Sequence, residues 1–312
     1  MARLFFATDI HGSEVCWRKF LNAGAFYDAT VLILGGDMTG KALVPLVEEG
    51  GRVEGELAGD RFVLESEEAV RDMEDRISAR GFYSVRVTPS QVSELQADPQ
   101  KVDALFTERM GATLERWVAL ADERLRGQDV RCYVCPGNDD RFDVDERLRR
   151  SARIELAEGR VVEVDGVEMI STGWSNPTPW ETHRECSEED LGARIDQMIS
   201  RLRDPGRAIF NLHCPPYRSK LDDAPALDKD LRPMYGGQAV RPVGSTAVRD
   251  AILRHQPYVS LHGHIHESRG VARLGRTLAL NPGSSYESGV LHGALVEIDA
   301  QWGVRSYMLV TG

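Results

Sequence analysis

The chain has 312 residues, of which 42% are hydrophobic and 28% are charged, and its formal net charge is −11. The hydrophobic content is typical of a globular protein, and no apolar run is long enough to span a membrane. The negative charge argues against broad, charge-driven binding of nucleic acid, which requires a positively charged surface.

The five cysteines indicate a reducing environment. Their number is odd, and the first apolar run is too short for a secretory signal, so we predict free thiols and a cytoplasmic protein. Cys132 and Cys135 form a CxxC within a predicted strand, where residues three apart point to opposite faces. We therefore expect them to pack in the core and not to share a zinc ion.

Five apolar segments predict buried β-strands that end in polar residues. In chain order they read RLFFATD, ATVLILGGD, VRCYVCPGND, AIFNLHC and YVSLHGHIH. Open α/β sheets place their functional sites at the carboxyl ends of the strands. We therefore expect the polar residues to meet at one edge of the sheet.

Helices are predicted between these strands. Ser13 is the expected N-cap of the first helix, and Ser187 is the expected N-cap of a later helix with an apolar stripe. A third helix is predicted to stop before Pro257. Short glycine-containing runs after residue 267 predict a terminal set of largely antiparallel strands.

Residues 41–98 predict a small inserted α+β subdomain. The segment contains a possible hairpin (51–65), an acidic helix (66–81) and a strand (82–87), which is too much for a single crossover. A long amphipathic helix that begins near Asp98 is expected to supply the crossover instead. The insertion is open to interpretation as a lid, a substrate selector, an oligomer contact or a decoration without function.

The stretch LHGHIHES, residues 261–268, places His262, His264 and His266 at every second position. In a β-strand this spacing directs three imidazoles to one face, as a metal site would require. Taken alone, a histidine-rich strand end without a function explains the spacing equally well. Gly263 would allow another backbone or a ligand to come close.

Seven polar residues follow the predicted strands in one order along the chain: Asp9, His11, Asp37, Asn138, His213, His264 and His266. This pattern, together with the NPGS segment at 281–284, resembles the calcineurin-like metallophosphoesterase superfamily. The resemblance covers the chain except for the 41–98 insertion. It implies a four-layer α/β/β/α sandwich of two mixed sheets, the metallo-dependent phosphatase fold, with the site at the strand ends.

The resemblance also implies two divalent metal ions. Asp9, His11 and His266 would hold one ion, Asn138, His213 and His264 would hold the second, and Asp37 would bridge the two. Carboxylate oxygens combined with imidazole nitrogens suit Mn²⁺, Fe²⁺ or Zn²⁺. Such a pair of ions activates a shared water for in-line attack on phosphorus. His262 is then expected to support the ligands from behind or to have a structural role.

The third motif departs from the family pattern. Where the family commonly reads Gly-Asn-His-Asp/Glu, residues 137–140 read GNDD, so Asp139 occupies the place of the usual proton donor. An ionised Asp139 would be a poor acid and would repel a dianionic phosphomonoester, which favours a diester substrate. The alternatives are an Asp139 kept neutral by a dry pocket, an Asp139 without a catalytic part, and proton donation by His183 or His292.

Together these features predict a dinuclear metal-dependent phosphodiesterase that hydrolyses a small, nucleotide-like diester. The alternatives are a catalytically idle scaffold that binds a protein partner and a nuclease, which the acidic composition disfavours. We expect no membrane partner, and we leave open whether the chain forms a homo-oligomer. The residues predicted to act in catalysis are Asp139, Asn138 and Asp37. Those predicted to bind substrate are Asp140, Tyr217, Arg218 and Arg269. The alternative for the two arginines is solvated surface charge.

Overall fold

The computed structural model describes residues 1–312, except for the side chain of Tyr235. The strands in chain order are β1 (Ala2–Ala7), β2 (Val31–Leu34), β3 (Leu43–Glu49), β4 (Arg52–Leu57), β5 (Asp60–Leu64), β6 (Tyr83–Val87), β7 (Arg131–Val134), β8 (Ile154–Leu156), β9 (Val161–Val164), β10 (Val167–Thr172), β11 (Ile209–Leu212), β12 (Asp223–Pro225), β13 (Val240–Pro242), β14 (Val259–Leu261), β15 (Gly270–Leu274), β16 (Thr277–Asn281), β17 (His292–Asp299) and β18 (Gly303–Thr311). The five predicted apolar strands are confirmed as β1, β2, β7, β11 and β14.

The helices lie between the strands, as predicted. They are α1 (Glu14–Tyr27), α2 (Glu67–Ala79), α3 (Pro89–Ala97), α4 (Pro99–Arg124), α5 (Asp143–Leu148), α6 (Glu188–Ile199) and α7 (Thr246–His255). Both predicted N-caps are confirmed, because the Ser13 side chain accepts a hydrogen bond from the Cys16 N–H and the Ser187 side chain accepts one from the Asp190 N–H. Within the described residues, no helix is both long and apolar enough to cross a membrane.

Two six-stranded mixed sheets form within the described part of the chain. The first has the order β18-β17-β1-β2-β7-β8 and the second has the order β15-β16-β14-β11-β10-β9. Strands β1, β2, β7 and β8 run parallel in the first sheet, and β10, β11, β14 and β16 run parallel in the second. The remaining strands of both sheets pair antiparallel.

Alternating side chains on the strands hold the layers together. On β1, Leu4 and Phe6 pack between the two sheets, whereas Phe5 and Ala7 pack under the helices of the outer layer. Helices α1 and α4 cover the first sheet, and α6 and α7 cover the second. Burying each such leucine or phenylalanine contributes about 1.5–3 kcal/mol. The predicted four-layer α/β/β/α sandwich is confirmed.

The inserted segment has its own sheet and its own apolar cluster. Strands β3 to β6 form a sheet in the order β5-β4-β3-β6, and its cluster includes Val44, Leu46, Met73 and Ile77. The predicted hairpin, acidic helix and strand are confirmed as β4–β5, α2 and β6. Strand β3 and helix α3 were not predicted.

The chain after residue 267 differs from the prediction of one terminal set of strands. Strands β15 and β16 complete the second sheet, whereas β17 and β18 complete the first. The pairs β15–β16 and β17–β18 are antiparallel as predicted, but β16 also pairs parallel with β14. Each sheet therefore receives one of the two late hairpins at its edge.

Candidate metal centre

The parallel strands of both sheets end at one edge of the sandwich, and the loops that follow them carry the site. The structure brings all seven sequence-predicted ligands to this edge: Asp9 and His11 after β1, Asp37 after β2, Asn138 after β7, His213 after β11, and His264 and His266 after β14. This is the placement expected for a site at the strand ends of α/β sheets.

The LHGHIHES segment is a loop and not a strand, so the predicted alternation of its histidines is wrong. Strand β14 ends at Leu261, and His264 has a left-handed backbone with φ of 66°. His262 is fully buried, with Nδ1 lying 2.7 Å from the Leu212 carbonyl and Nε2 lying 2.7 Å from the Ser260 hydroxyl. Burial lowers the pKa of His262 to about 4. These contacts agree with the structural role expected for His262.

Left-handed backbone conformations mark the predicted ligands. Asp9, His11, Asp37 and His264 have φ values of 52°, 37°, 47° and 66°. Such a conformation costs a non-glycine residue about 1–3 kcal/mol and persists only where the surrounding structure enforces it. Gly263 allows the close approach that the sequence predicted, because a Cβ there would lie 2.3 Å from Asp9 Oδ2.

The first group of ligands is Asp9, His11 and His266. The two Nε2 atoms of His11 and His266 lie 3.1 Å apart, and Asp9 Oδ1 lies 3.4 Å from His266 Nε2. The Asp9 carboxylate is oriented by the His264 backbone N–H and the Thr8 hydroxyl at 2.7 Å. Burial alone would raise the pKa of Asp9, but the neighbouring histidines hold it well below its usual range.

The second group is Asp37, Asn138, His213 and His264. His213 Nε2 lies 3.0 Å from Asn138 Oδ1 and 3.4 Å from Asp37 Oδ2. His213 Nδ1 lies 3.0 Å from the Gly35 carbonyl, so a proton on Nδ1 donates to that oxygen, and Nε2 faces the site, where it would bind a metal after losing its own proton. Asp37 Oδ2 also lies 3.7 Å from His11 Nε2, which places this carboxylate between the two groups.

The donor set fits divalent metal ions. Asp9 and Asp37 are 1% and 2% exposed, and two buried carboxylates require positive charge nearby. In the protein alone His213 supplies this charge, because burial alone would lower its pKa but Asp37 and Asp9 raise it to about 9. The Nδ1 atom of His11 is buried without a hydrogen-bond partner among the described residues. Imidazole and carboxylate together suit borderline ions.

Asp139 lies beside both groups and is paired with a lysine. Its backbone N–H donates to Asp37 Oδ1 at 3.0 Å, and its carboxylate lies 3.0 Å from Lys41 Nζ. Burial and the Asp37 charge raise the pKa of the Asp139 carboxyl to about 6. The Lys41 charge partly offsets the repulsion that we expected between Asp139 and a dianionic substrate. Sequence analysis missed Lys41, because it belongs to no motif and stands where the insertion begins.

Asp140 has a structural role, which corrects its predicted contact with substrate. Its fully buried carboxylate accepts hydrogen bonds from the backbone N–H groups of Met38, Thr39 and Gly137 and from the Thr39 hydroxyl. It therefore ties together the loops that follow β2 and β7. A carboxylate engaged in this way has no face left for a ligand.

The other predicted substrate residues, Tyr217, Arg218 and Arg269, make contacts outside the lining of the cleft. Among the described residues that line the cleft over the metal centre, Tyr217, Arg218 and Arg269 are absent. The guanidinium of Arg218 packs over the Tyr217 ring, and Arg269 donates to the Val310 carbonyl. Of the two histidines considered as proton donors, His183 lines the cleft, whereas His292 contacts the Pro282 carbonyl at 3.2 Å.

The cleft has a volume of about 870 Å³. Its floor includes Asp37, Asn138, His264 and His266, together with Asp139 and Lys41. One wall is the loop of residues 177–183, and the other is formed by residues between 224 and 243.

Comparison with known sequences gives a relative without an established function. No protein-family model matches the chain. An uncharacterized protein of Methanocaldococcus jannaschii, MJ1162, is 30% identical over 157 residues, which are 49% of this chain. The match spans 63% of the length of that relative.

Comparison with solved structures extends over the whole chain. TT1561 of Thermus thermophilus is 14% identical with a TM-score of 0.52, over 100% of this chain and 98% of that one. A second crystal structure is 16% identical with a TM-score of 0.58, over 99% and 98% of the two chains. At these identities the likeness concerns the fold alone. The chain therefore shares its four-layer α/β/β/α fold with these two solved structures.

Proposed function

We propose that the chain is a member of the calcineurin-like metallophosphoesterase superfamily and hydrolyses phosphate esters with the help of divalent metal ions. One observation carries the proposal: seven ligand-type residues from five separate strand ends converge on two adjoining groups. Chance placement of seven such side chains at one edge of the sandwich is hard to reconcile with the burial of five of them, because buried charged and polar groups need partners.

In this proposal Asp9, His11 and His266 hold one ion, Asn138, His213 and His264 hold the other, and Asp37 contacts both. When bound, the ions supply Lewis acidity for the phosphate oxygens and lower the pKa of a bound water. The protein itself fixes the ligands. Gly35 fixes the His213 tautomer through its carbonyl, and the Asn138 amide donates to the Thr182 hydroxyl at 2.8 Å, which turns its oxygen towards the site.

We further propose a phosphodiester as the preferred substrate. Water would form a bond to phosphorus, the ester bond to the leaving oxygen would break, and a proton would pass to that oxygen. The Asp139–Lys41 pair carries no net charge when both groups are ionised, so it offers no extra attraction for the second charge of a monoester. The cleft volume of about 870 Å³ also leaves room for organic groups besides a phosphate.

The proposal also covers the identity of the metal ions and the cellular compartment of the protein. The mixed nitrogen and oxygen donors favour Mn²⁺, Fe²⁺ or Zn²⁺ over Mg²⁺ or Ca²⁺. The five cysteines are free thiols in the structure, four of them buried, which supports a reducing cytoplasm.

The first test combines elemental analysis with turnover. We expect about two metals per chain after Mn²⁺ reconstitution and hydrolysis of aryl phosphodiesters faster than of the matched monoesters. Asp37→Asn should lose both metals, and turnover should fall on the order of a thousandfold. Circular dichroism of that variant checks that it is folded.

Two outcomes would contradict the proposal. Folded protein that takes up no metal and turns over neither ester would favour the scaffold interpretation. Hydrolysis confined to polynucleotides would favour the nuclease.

A further inference from the structure

An exposed indole stands on the wall of the cleft. We propose that the outer part of the cleft, defined by Pro179, Trp180, Leu227 and Leu231 and called here the Trp180 subsite, binds a planar aromatic group of the substrate, of the size of a nucleobase. The proposal rests on the proposed function, since that group would be the organic substituent of a phosphoester held at the metal centre.

The exposure of Trp180 is the first observation. Its side chain is 62% exposed although it lines a concave cleft. Tryptophan combines a large apolar face with one polar N–H and gains most when the face is covered. An indole left uncovered in the lining of a cleft is suited to stack on an incoming ring.

The loop that carries Trp180 is held in place before any ligand arrives. The Trp180 backbone N–H donates to the Thr178 hydroxyl at 3.2 Å, and the Glu185 carboxylate accepts from the backbone N–H groups of Thr178 and Thr182 at 2.8 and 2.9 Å. Arg184, only 2% exposed, pairs with Asp145 at 2.6 Å. A preorganised loop loses little entropy on binding, which favours affinity.

The same loop is tied to the metal centre. The Thr182 hydroxyl accepts the hydrogen bond from the Asn138 amide, so a predicted metal ligand and the Trp180 loop share one contact. Both also border one continuous cleft. A phosphorus at the metals and a ring on Trp180 would therefore belong to one molecule.

The lining between residues 225 and 241 is largely apolar and carries a cation. Pro225, Leu227, Leu231 and Pro233 face the cleft, together with Arg241 on β13. The volume of about 870 Å³ lies within the range of sites for cofactor-sized ligands and far exceeds the needs of a phosphate group. An apolar slot bordered by an arginine matches a planar, polar-edged ring such as a nucleobase.

The test compares two diesters that share a leaving group, thymidine 5′-(p-nitrophenyl phosphate) and methyl p-nitrophenyl phosphate. We expect the wild-type protein to prefer the thymidine ester. Trp180→Ala should reduce the ratio of the two kcat/KM values roughly five- to a hundredfold, the range for loss of one base–aromatic stack, mainly through KM. Trp180→Phe should keep most of the preference. Trp302→Ala, at a 66% exposed tryptophan on the turn before β18, is the matched control and should change nothing.

Calorimetric titration of thymidine 5′-monophosphate into the Mn²⁺-loaded protein separates this inference from the proposed function. Weaker binding in Trp180→Ala than in Trp302→Ala supports the subsite even if no ester is turned over, in which case the proposed function alone fails. Equal substrate ratios and equal binding in the two variants, or no binding to the wild type, would overturn the subsite.

Discussion

The two halves of the proposed metal centre share carboxylates and imidazoles, with Asn138 only in the second half, but they are fixed to different degrees. In the half around His213, the second imidazole nitrogen contacts the Gly35 carbonyl and the neighbouring Asn138 is held by Thr182. In the half around His11, the Nδ1 atom has no hydrogen-bond partner among the described residues, and the His266 side chain is 26% exposed. Because such outer contacts change metal affinity about 10–100-fold, we expect the His213 half to bind its metal more tightly.

The largest expected effect comes from removing one histidine of each half. His213→Ala should abolish the tight metal site and lower turnover on the order of a thousandfold, because it removes a ligand and leaves Asp37 without its nearest imidazole. His266→Ala should weaken the other metal but leave the tight one in place. Competition with a chelator, read by elemental analysis, measures both affinities. Equal loss of both metals in both variants would contradict the asymmetry.

A second prediction concerns the hydroxyl that holds Asn138. Thr182→Val should lower the affinity for the more tightly bound metal by about 10–100-fold, because the Asn138 amide loses its hydrogen-bond acceptor. Thr178→Val is the matched control, since its hydroxyl contacts Glu185 on the same loop and no predicted ligand. Titration with Mn²⁺ followed by calorimetry compares the variants. If Thr178→Val lowers the affinity equally, loop order and not the Asn138 contact controls the site.

The sequence predicted which side chains meet in both halves but not the difference between the halves. Strand ends are readable because buried apolar runs have a clear length and end in polar residues. The backbone after β14 was misread, because a strand period was extended past Leu261 into a loop whose left-handed His264 leaves no signal in the residue types. Contacts such as His213 to Gly35 or Lys41 to Asp139 join segments far apart in the chain, and only the folded structure brings them together.

A third prediction uses Lys41, which lies near the less fixed half. Lys41→Met leaves the Asp139 carboxylate without its cation, so a dianionic monoester should be repelled more than a monoanionic diester. We expect kcat/KM for the monoester to fall about fivefold more than for the diester, as for one screened charge pair. Lys41→Arg keeps the charge and should keep the ratio. An unchanged ratio in Lys41→Met would contradict this electrostatic role of Lys41.

The smallest effect is expected at Ser13, which connects the less fixed half to the insertion. Ser13 lies two residues after His11 in the chain. Its side chain caps α1, and its hydroxyl donates to the Ala79 carbonyl at 2.6 Å. Ser187 caps α6 away from the proposed metals and is the matched control. Because each substitution removes an N-cap, Ser13→Ala and Ser187→Ala should each lower the free energy of unfolding by about 1 kcal/mol.

Only Ser13→Ala should also lower the affinity for the metal at His11, by a few-fold. The loop that enforces the left-handed His11 backbone loses a contact with α2 in this variant. Denaturant unfolding and Mn²⁺ titration of both variants check this pair. Equal metal affinities with equal losses of stability would mean that the insertion does not support the His11 half. The weaker metal binding of that half would then follow from the missing hydrogen-bond partner of His11 Nδ1 alone. A new acceptor introduced beside that atom should then strengthen metal binding.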